Sequence, residues 1–146
     1  MLIEISNPLN DSAWTFPVLE CIHILGFAFS IGTIAMVDFS LLNFGLRRQA
    51  PSQIARAVAP WTLFGLVMML LSGPMLFLSD PDMYYLNRSF QIKMVLLALA
   101  IVFNYTLHRK AAQSDAKGGR AKWVACVSLA LWAGVIAGGL FIAFVS

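Results

Sequence analysis

The chain has 146 residues, of which 60% are hydrophobic and only 12% are charged. This length corresponds to one domain, and ordinary soluble domains carry about 25% charged residues. Ten basic and seven acidic residues cannot cover the surface of a soluble monomer of this size. The composition excludes a soluble monomer and a disordered chain. Two cysteines and a net charge of +3 exclude a disulfide-stapled secreted domain and a nucleic-acid-binding module.

Four apolar runs are long enough to cross a bilayer. They extend over about residues 16–46, 61–78, 90–108 and 123–145. Backbone amides find no partners in lipid, so runs of this kind form helices. The alternating ten-residue strands that a membrane barrel needs do not occur. The sequence therefore predicts an all-α fold: a single integral-membrane domain that forms a bundle of four transmembrane helices.

Basic residues are concentrated in two of the three segments that join these runs. Eight of the ten fall in the first and third joints: Arg47, Arg48, Arg56, Arg109, Lys110, Lys117, Arg120 and Lys122. Because Lys and Arg favour cytoplasmic loops, both joints are predicted to be cytoplasmic. Both termini are then predicted to lie on the outer, extracytoplasmic side.

Two of the apolar runs carry polar residues on one helical face. At about 100° per residue, each set falls within one narrow stripe. The stripe of the first run contains Glu20, His23, Phe27, Ser30, Ile34 and Asp38, and that of the third contains Lys93, Leu97, Ala100, Asn104 and His108. Ionisable residues inside a span are costly and are functional candidates by default. The pattern predicts that both stripes point inward, towards each other.

The outer end of the two stripes forms a first predicted layer, the outer cluster, which consists of Glu20, His23 and Lys93. A charge at this depth needs a partner, because an isolated one would lose its hydration. The sequence predicts an ion pair between Glu20 and Lys93, with His23 one turn deeper.

The inner end of the stripes forms a second predicted layer, which consists of Asp38, Asn104 and His108. Helix rise places Asp38 about 27 Å from the first residue of the stripe. The partner predicted for Asp38 is His108, or alternatively Arg47 or Arg48. An apolar middle should separate the two layers.

The leading functional hypothesis is a small redox-linked membrane subunit that binds haem b or a quinone. Histidines inside helix bundles are common haem ligands, so His23 and His108 are the candidate metal ligands. One iron cannot take both, because they lie about 20 Å apart in depth. The version that remains uses one histidine per site: His23 pairs with Met75 or Met94, or leaves a coordination position open. Alternatively, the outer cluster holds a quinone, since histidine and carboxylate accept protons from a quinol. Asp38, Asn104 and His108 are further candidate cofactor-binding residues.

Two alternatives belong to other functional classes. A line of titratable groups is also typical of a proton- or ion-coupled transporter, although few polar residues bridge the middle. A short chain without a large extramembrane segment also fits a non-catalytic accessory subunit. The expected partners are the lipid bilayer and either another protein or further copies of the chain, and not nucleic acid. No hydrolase motif or phosphate-binding loop is present.

Small residues suggest how the helices pack. Ala130, Gly134 and Gly138 recur every four residues and predict a flat face on the fourth helix, for contact within the bundle or with a second copy. Cys21 and Cys126 lie at opposite depths, so they cannot form a disulfide. Both are interpreted as small core residues.

Several motifs together resemble a known family. They are Trp14-Thr-Phe-Pro-Val-Leu-Glu20-Cys-Ile-His23, Asp38-Phe-Ser-Leu-Leu-Asn-Phe-Gly45 with Arg47, Pro60-Trp61, Gly73 with Phe77, Phe90-Gln-Ile-Lys93, Asn104 and His108. The set resembles a family of small bacterial four-helix membrane proteins that is classed as a domain of unknown function. The resemblance covers about residues 14–110. It implies a bacterial inner-membrane protein in which these polar residues are the family pattern, and it implies no reaction and no ligand.

Overall fold

A computed structural model of the chain describes residues 7–46 and 48–144. Over these residues the protein is helical and contains no strand. Its four long helices are α1 (Thr15–Leu41), α2 (Pro51–Ser79), α3 (Arg88–Gln113) and α4 (Gly119–Phe144). Each is long and apolar enough to cross a membrane, which suggests a multi-pass membrane protein. Short helical turns at Pro8–Asn10 and Pro81–Tyr85 flank them on one side.

The first helix ends earlier than the apolar run that predicts it. α1 stops at Leu41, whereas the run continues to about residue 46. The physical reason is local backbone conformation: Asn43 has φ +56° and Gly45 has φ +74°. These left-handed residues cannot continue a right-handed helix and are typical of helix C-termini.

The second helix begins ten residues before its apolar run. Pro51 occupies the first turn, where its missing N–H costs nothing, and the Gln53 side chain accepts a hydrogen bond from the Ala50 N–H at 3.2 Å. The helix then continues through Pro60, which the sequence places in a joint. Hydropathy alone misses this extension because residues 51–60 contain two prolines and three polar residues, and only Ile54 and Val58 are strongly apolar.

The helices pack as two close pairs, α1 with α2 and α3 with α4. Two glycines allow the first pair to approach. A Cβ atom added to Gly65 would lie 2.5 Å from the Ser30 backbone nitrogen and 2.6 Å from the Gly26 carbonyl oxygen. No side chain fits in that space, so both positions require glycine for steric reasons.

In the second pair, the predicted small-residue face lies against α3 of the same chain. A Cβ added to Gly134 would lie 2.9 Å from Leu96 Cδ1, and one added to Gly138 would lie 2.9 Å from Lys93 Cβ. Ala130 is exposed and outside this contact. The two glycines therefore serve packing within the chain.

The two cysteines are exposed, so their interpretation as core residues is wrong. A continuous apolar run carries too little periodicity to show which side faces the bundle and which faces outward.

Two apolar clusters, each with residues from all four helices, form the core. The inner cluster comprises Val37, Leu41, Ile54, Ala111, Ala112, Ala121, Val124 and Ala125. The middle cluster comprises Ile34, Leu66, Met69, Leu97, Ala100, Trp132 and Val135. The polar residues of the candidate site lie between these clusters.

A hydrogen-bonded cap joins the α3–α4 connection to the start of α2. The half-buried Asp115 carboxylate accepts hydrogen bonds from the Ser52 N–H at 2.9 Å and the Ser52 hydroxyl at 3.1 Å. These bonds, with smaller contributions from the Arg56 and Lys117 charges, hold the pKa of Asp115 below its usual range. The cap satisfies an N–H that a helix N-terminus otherwise leaves free.

We expect Gly65→Ala to destabilise the protein by about 1–3 kcal/mol, because the added methyl group must push the α1 backbone away. Thermal unfolding in mild detergent, followed by circular dichroism, measures the change. Gly32→Ala is the matched control: nothing lies within 4 Å of a Cβ at this helical position. It should be neutral or slightly stabilising. Equal melting temperatures for the two variants would contradict the close α1–α2 contact.

The Asp115 cap should make stability depend on pH. Its pKa is lower in the folded protein than in the unfolded chain, so its contribution is fully present above the unfolded value of about 3.9. That contribution is lost as pH falls through the lowered folded pKa. The melting-temperature difference between the wild type and Asp115→Asn should therefore be constant above about pH 5 and shrink below about pH 4. A difference that does not vary with pH would show that the carboxylate charge is irrelevant to the cap.

Candidate functional site

Three buried polar side chains from three helices meet between the two apolar clusters. His108 Nε2 lies 2.7 Å from Asp38 Oδ1, and the Ser128 hydroxyl donates to Asp38 Oδ2 at 2.8 Å. Asp38, Ser128 and His108 are 0%, 1% and 4% exposed. We call this set the inner triad. It connects α1, α3 and α4 through one carboxylate.

The structure thus brings together two residues that the stripes predict as partners, Asp38 and His108. Arg48, one of the alternative partners, is exposed and forms no ion pair with Asp38. Arg47, the other, lies outside the described residues. Ser128 was not predicted, because a lone serine in an uncharged span most often bonds to its own helix and gives no distinguishing signal.

The triad determines how the imidazole of His108 is oriented. Both oxygens of Asp38 accept hydrogen bonds, as those of a carboxylate do. His108 directs Nε2 towards Asp38, so Nδ1 is the ring nitrogen left for another partner. A carboxylate that holds one imidazole nitrogen fixes the ring and makes the other nitrogen a better proton acceptor.

The helix that carries His108 is irregular at this point. Residues Asn104–His108 form a π-helical turn within α3, and the Arg109 N–H bonds to the Asn104 carbonyl oxygen, five residues back. Asn104 and His108, at the two ends of this turn, are both buried. Single π-turns inside α-helices occur frequently at functional sites. The sequence pattern identifies the two residues but not the change in helix type.

A cavity of about 360 Å³ lies beside the π-turn, between α2 and α3. The polar residues that line it are Thr62, Asn104, Tyr105, His108 and Gln113. Arg56 and Arg109 add basic side chains, and Ile34 and Val37 of α1 line its floor. Pro60 lines the opposite wall. Because proline has no N–H, the Arg56 carbonyl oxygen lacks its usual helical donor. Irregular backbone therefore lies on both sides of the cavity.

The predicted ion pair of the outer cluster is wrong: Glu20 and Lys93 do not pair. Glu20 is exposed, and its negative charge adds to burial in raising the pKa of Tyr84, in the short helix Pro81–Tyr85. Lys93 instead extends along α4, where its Nζ lies 3.4 Å from a Cβ position at Gly139. The outer end of α3 packs against α4 rather than α1, which separates the two charges.

His23 is directed at α2. Its Nδ1 lies 2.8 Å from the Ser72 hydroxyl oxygen, which also lies 2.8 Å from the Met68 carbonyl oxygen. The hydroxyl donates its one proton to that carbonyl, which leaves a lone pair that can accept a hydrogen bond from Nδ1. The ring lies against Gly73, where an added Cβ would be in ordinary van der Waals contact, 3.5 Å from Cε1. The sequence does not single out Ser72 as a partner of His23, because a serine in an apolar run usually bonds to its own helix.

The two histidines are not brought together as ligands of one metal. His108 contacts Asp38, and Asp38 follows His23 by 15 residues on α1, a separation of about 22 Å. Met75 and Met94, the other candidate ligands, are both exposed. Over the described ranges, no group of three or more His, Cys, Asp or Glu residues has metal-site geometry.

Comparison with known proteins gave one match. No curated protein and no solved structure matched the chain. One family model matched residues 14–145. This range is wider than the 14–110 resemblance seen in the motifs, and it includes α4, which the motifs leave out. The chain belongs to a family of unknown function, DUF6644.

Proposed function

We propose that the protein is a redox-linked subunit of the bacterial inner membrane that binds a quinone in the cavity beside the inner triad and exchanges protons with it. The observation that carries this proposal is that His108, held by the buried Asp38, lines a cavity between two irregular helix walls. Buried polar groups that converge on a concave, mostly apolar site are the usual marks of a ligand site.

The chemistry of a quinone suits the polar lining. A quinone presents two carbonyl oxygens that accept hydrogen bonds, and a quinol presents two hydroxyl groups that donate them. The Asn104 amide donates and accepts, and His108 Nδ1 accepts while Asp38 holds Nε2. Oxidation of a quinol to a quinone releases two protons and two electrons: His108 takes one proton, the other passes to water at the open end of the cavity, and both electrons pass to a redox centre in a partner protein. The resulting imidazolium is stabilised by the Asp38 carboxylate.

The inner triad is a better candidate than the outer cluster. Glu20, His23 and Lys93 contact different neighbours, and no hydrogen bond or ion pair joins these three described residues into one site. The 22 Å separation of the histidines favours a quinone over a haem b with two histidine ligands. The middle apolar cluster lies between the two histidine layers, which favours a site at one face over a proton relay through the bundle.

The proposed location and orientation rest on charge and length. Four helices are long and apolar enough to span a membrane. Eight basic residues occupy the two joints that we place in the cytoplasm, so the inner triad lies in the cytoplasmic half. Both termini then lie outside.

The quinone proposal predicts that His108→Gln weakens binding of a soluble quinol about tenfold or more, because a quinol hydroxyl loses the buried ring nitrogen that accepts its hydrogen bond. Quenching of tryptophan fluorescence in purified, detergent-solubilised protein measures the dissociation constant. His23→Gln is the matched control, because it changes a histidine 22 Å away, and it should leave binding unchanged. Visible spectra of oxidised and dithionite-reduced protein accompany the titration. A Soret band that His23→Gln abolishes, without quinone binding, would favour haem instead.

The orientation predicts which loops a membrane-impermeant maleimide reaches in intact cells. In a cysteine-free background (Cys21→Ala, Cys126→Ala), Ser12→Cys should react directly. Ser114→Cys, in the joint between α3 and α4, should react only after the membrane is permeabilised. The opposite pattern would reverse the topology and place the inner triad near the outer face.

A further inference from the structure

The cavity beside the inner triad is open on its side as well as at its end. α2 contacts α3 chiefly through residues 109–113 at the inner end. At the outer end, Phe77 of α2 stacks on Phe90 of α3, with ring centroids 5.6 Å apart. Between these two contacts, Leu63 and Tyr105 line the cavity and are nevertheless 55% and 41% exposed. The two helices are therefore separated there by a gap that reaches the surface.

The depth of this gap decides what it faces. Leu63 lies two residues inside the apolar run of α2, which begins at residue 61, a distance of about 3 Å along the helix axis. Tyr105 lies three residues from the end of the apolar run of α3 at residue 108, a distance of about 4.5 Å. In a bundle that spans a bilayer about 30 Å thick, a gap at this depth opens at the inner edge of the hydrocarbon.

The polarity of the lining changes along the cavity. Asn104 and His108 lie on its inner, buried side, and Arg56 and Arg109 lie on its lining towards the helix ends. Ala59 and Leu63, which are exposed at the gap, offer only apolar surface. A molecule with one hydrogen-bonding head group and an apolar chain matches this order of surfaces.

We infer that the ligand enters sideways from the bilayer through the gap between α2 and α3, and that its long apolar tail stays in this gap while its head group contacts Asn104 and His108. The inference rests on the proposed function and names its substrate class: a quinone with a long hydrocarbon tail, rather than a free, water-soluble ring. Ala59, Leu63 and Tyr105 at the gap then select ligands by their apolar tail. Asn104 and His108 select them by their head group.

The test uses Ala59→Phe, which places a ring in the gap without changing the triad or the number of tryptophans. The matched control is Ala57→Phe: this alanine lies two positions away on α2, is exposed and does not line the cavity. Each protein is titrated in the same detergent with two quinones that share one ring, one with a long alkyl tail and one without a tail.

We expect Ala59→Phe to weaken binding of the long-tailed quinone about tenfold, because the tail must displace a side chain packed in its place. Binding of the tail-less ring should change less than twofold, and Ala57→Phe should affect neither. Leu63→Phe, a smaller change at the same gap, replaces Ala59→Phe if the latter does not fold.

Equal affinities of the wild type and both gap variants for the long-tailed quinone would overturn lateral entry while leaving the proposed function intact. Equal weakening of the binding of both quinones would also overturn lateral entry, because it would show that the phenyl ring disturbs the head-group site. If the wild type binds neither quinone, the proposed function itself fails. A phospholipid that co-purifies with the wild type and is lost in Ala59→Phe would then identify the gap as a lipid site.

Discussion

The buried carboxylate of Asp38 imposes the constraint on which the assembly of the bundle depends. A carboxylate with no exposed surface must receive hydrogen bonds from the protein, because burying it unpaired costs several kcal/mol. α1 and α2 are locked together by the crossing at Gly26 and Gly65, and neither helix supplies a donor to this carboxylate. The donors come from α3 and α4. The triad therefore joins the two helix pairs at a fixed register, where apolar packing alone would tolerate small shifts.

The residues around the triad pack closely on most sides but leave a cavity on one side. Above and below it, the middle and inner clusters are filled by side chains from all four helices. On one side, the π-turn of α3 and Pro60 of α2 depart from regular helix geometry, and a cavity remains between them. Because packing is close elsewhere, the ring of His108 is held in place. The side of the site that faces the cavity is not filled by protein.

Much of the fold follows from the sequence, and some of the site does. Length and hydropathy predict four helices, because lipid-spanning runs leave few alternatives. The Asp38–His108 contact could be predicted because the sequence gives the angle of each residue around its helix and its depth along the apolar run. The same reasoning fails for Glu20 and Lys93. Angle and depth do not specify which helix lies opposite a residue, and the outer part of α3 packs on α4.

Ser128 and Ser72 were missed as partners for a related reason, since small hydroxyl residues in apolar runs usually bond to their own backbone. The cavity arises from helix irregularity and from the divergence of α2 and α3, and neither has a signature in composition or periodicity.

The middle apolar cluster has an electrical consequence. Ile34, Leu66, Met69, Leu97 and Trp132 fill the centre of the bundle with low-dielectric material. In a membrane, most of the voltage drop falls across such a region, and moving one elementary charge through it costs about 2.3 kcal/mol per 100 mV. Under the proposed function, a proton that arrives at His108 and leaves on the same side of this layer crosses little of the field. Proton exchange at the triad would then be nearly electroneutral, and membrane voltage would neither drive it nor oppose it.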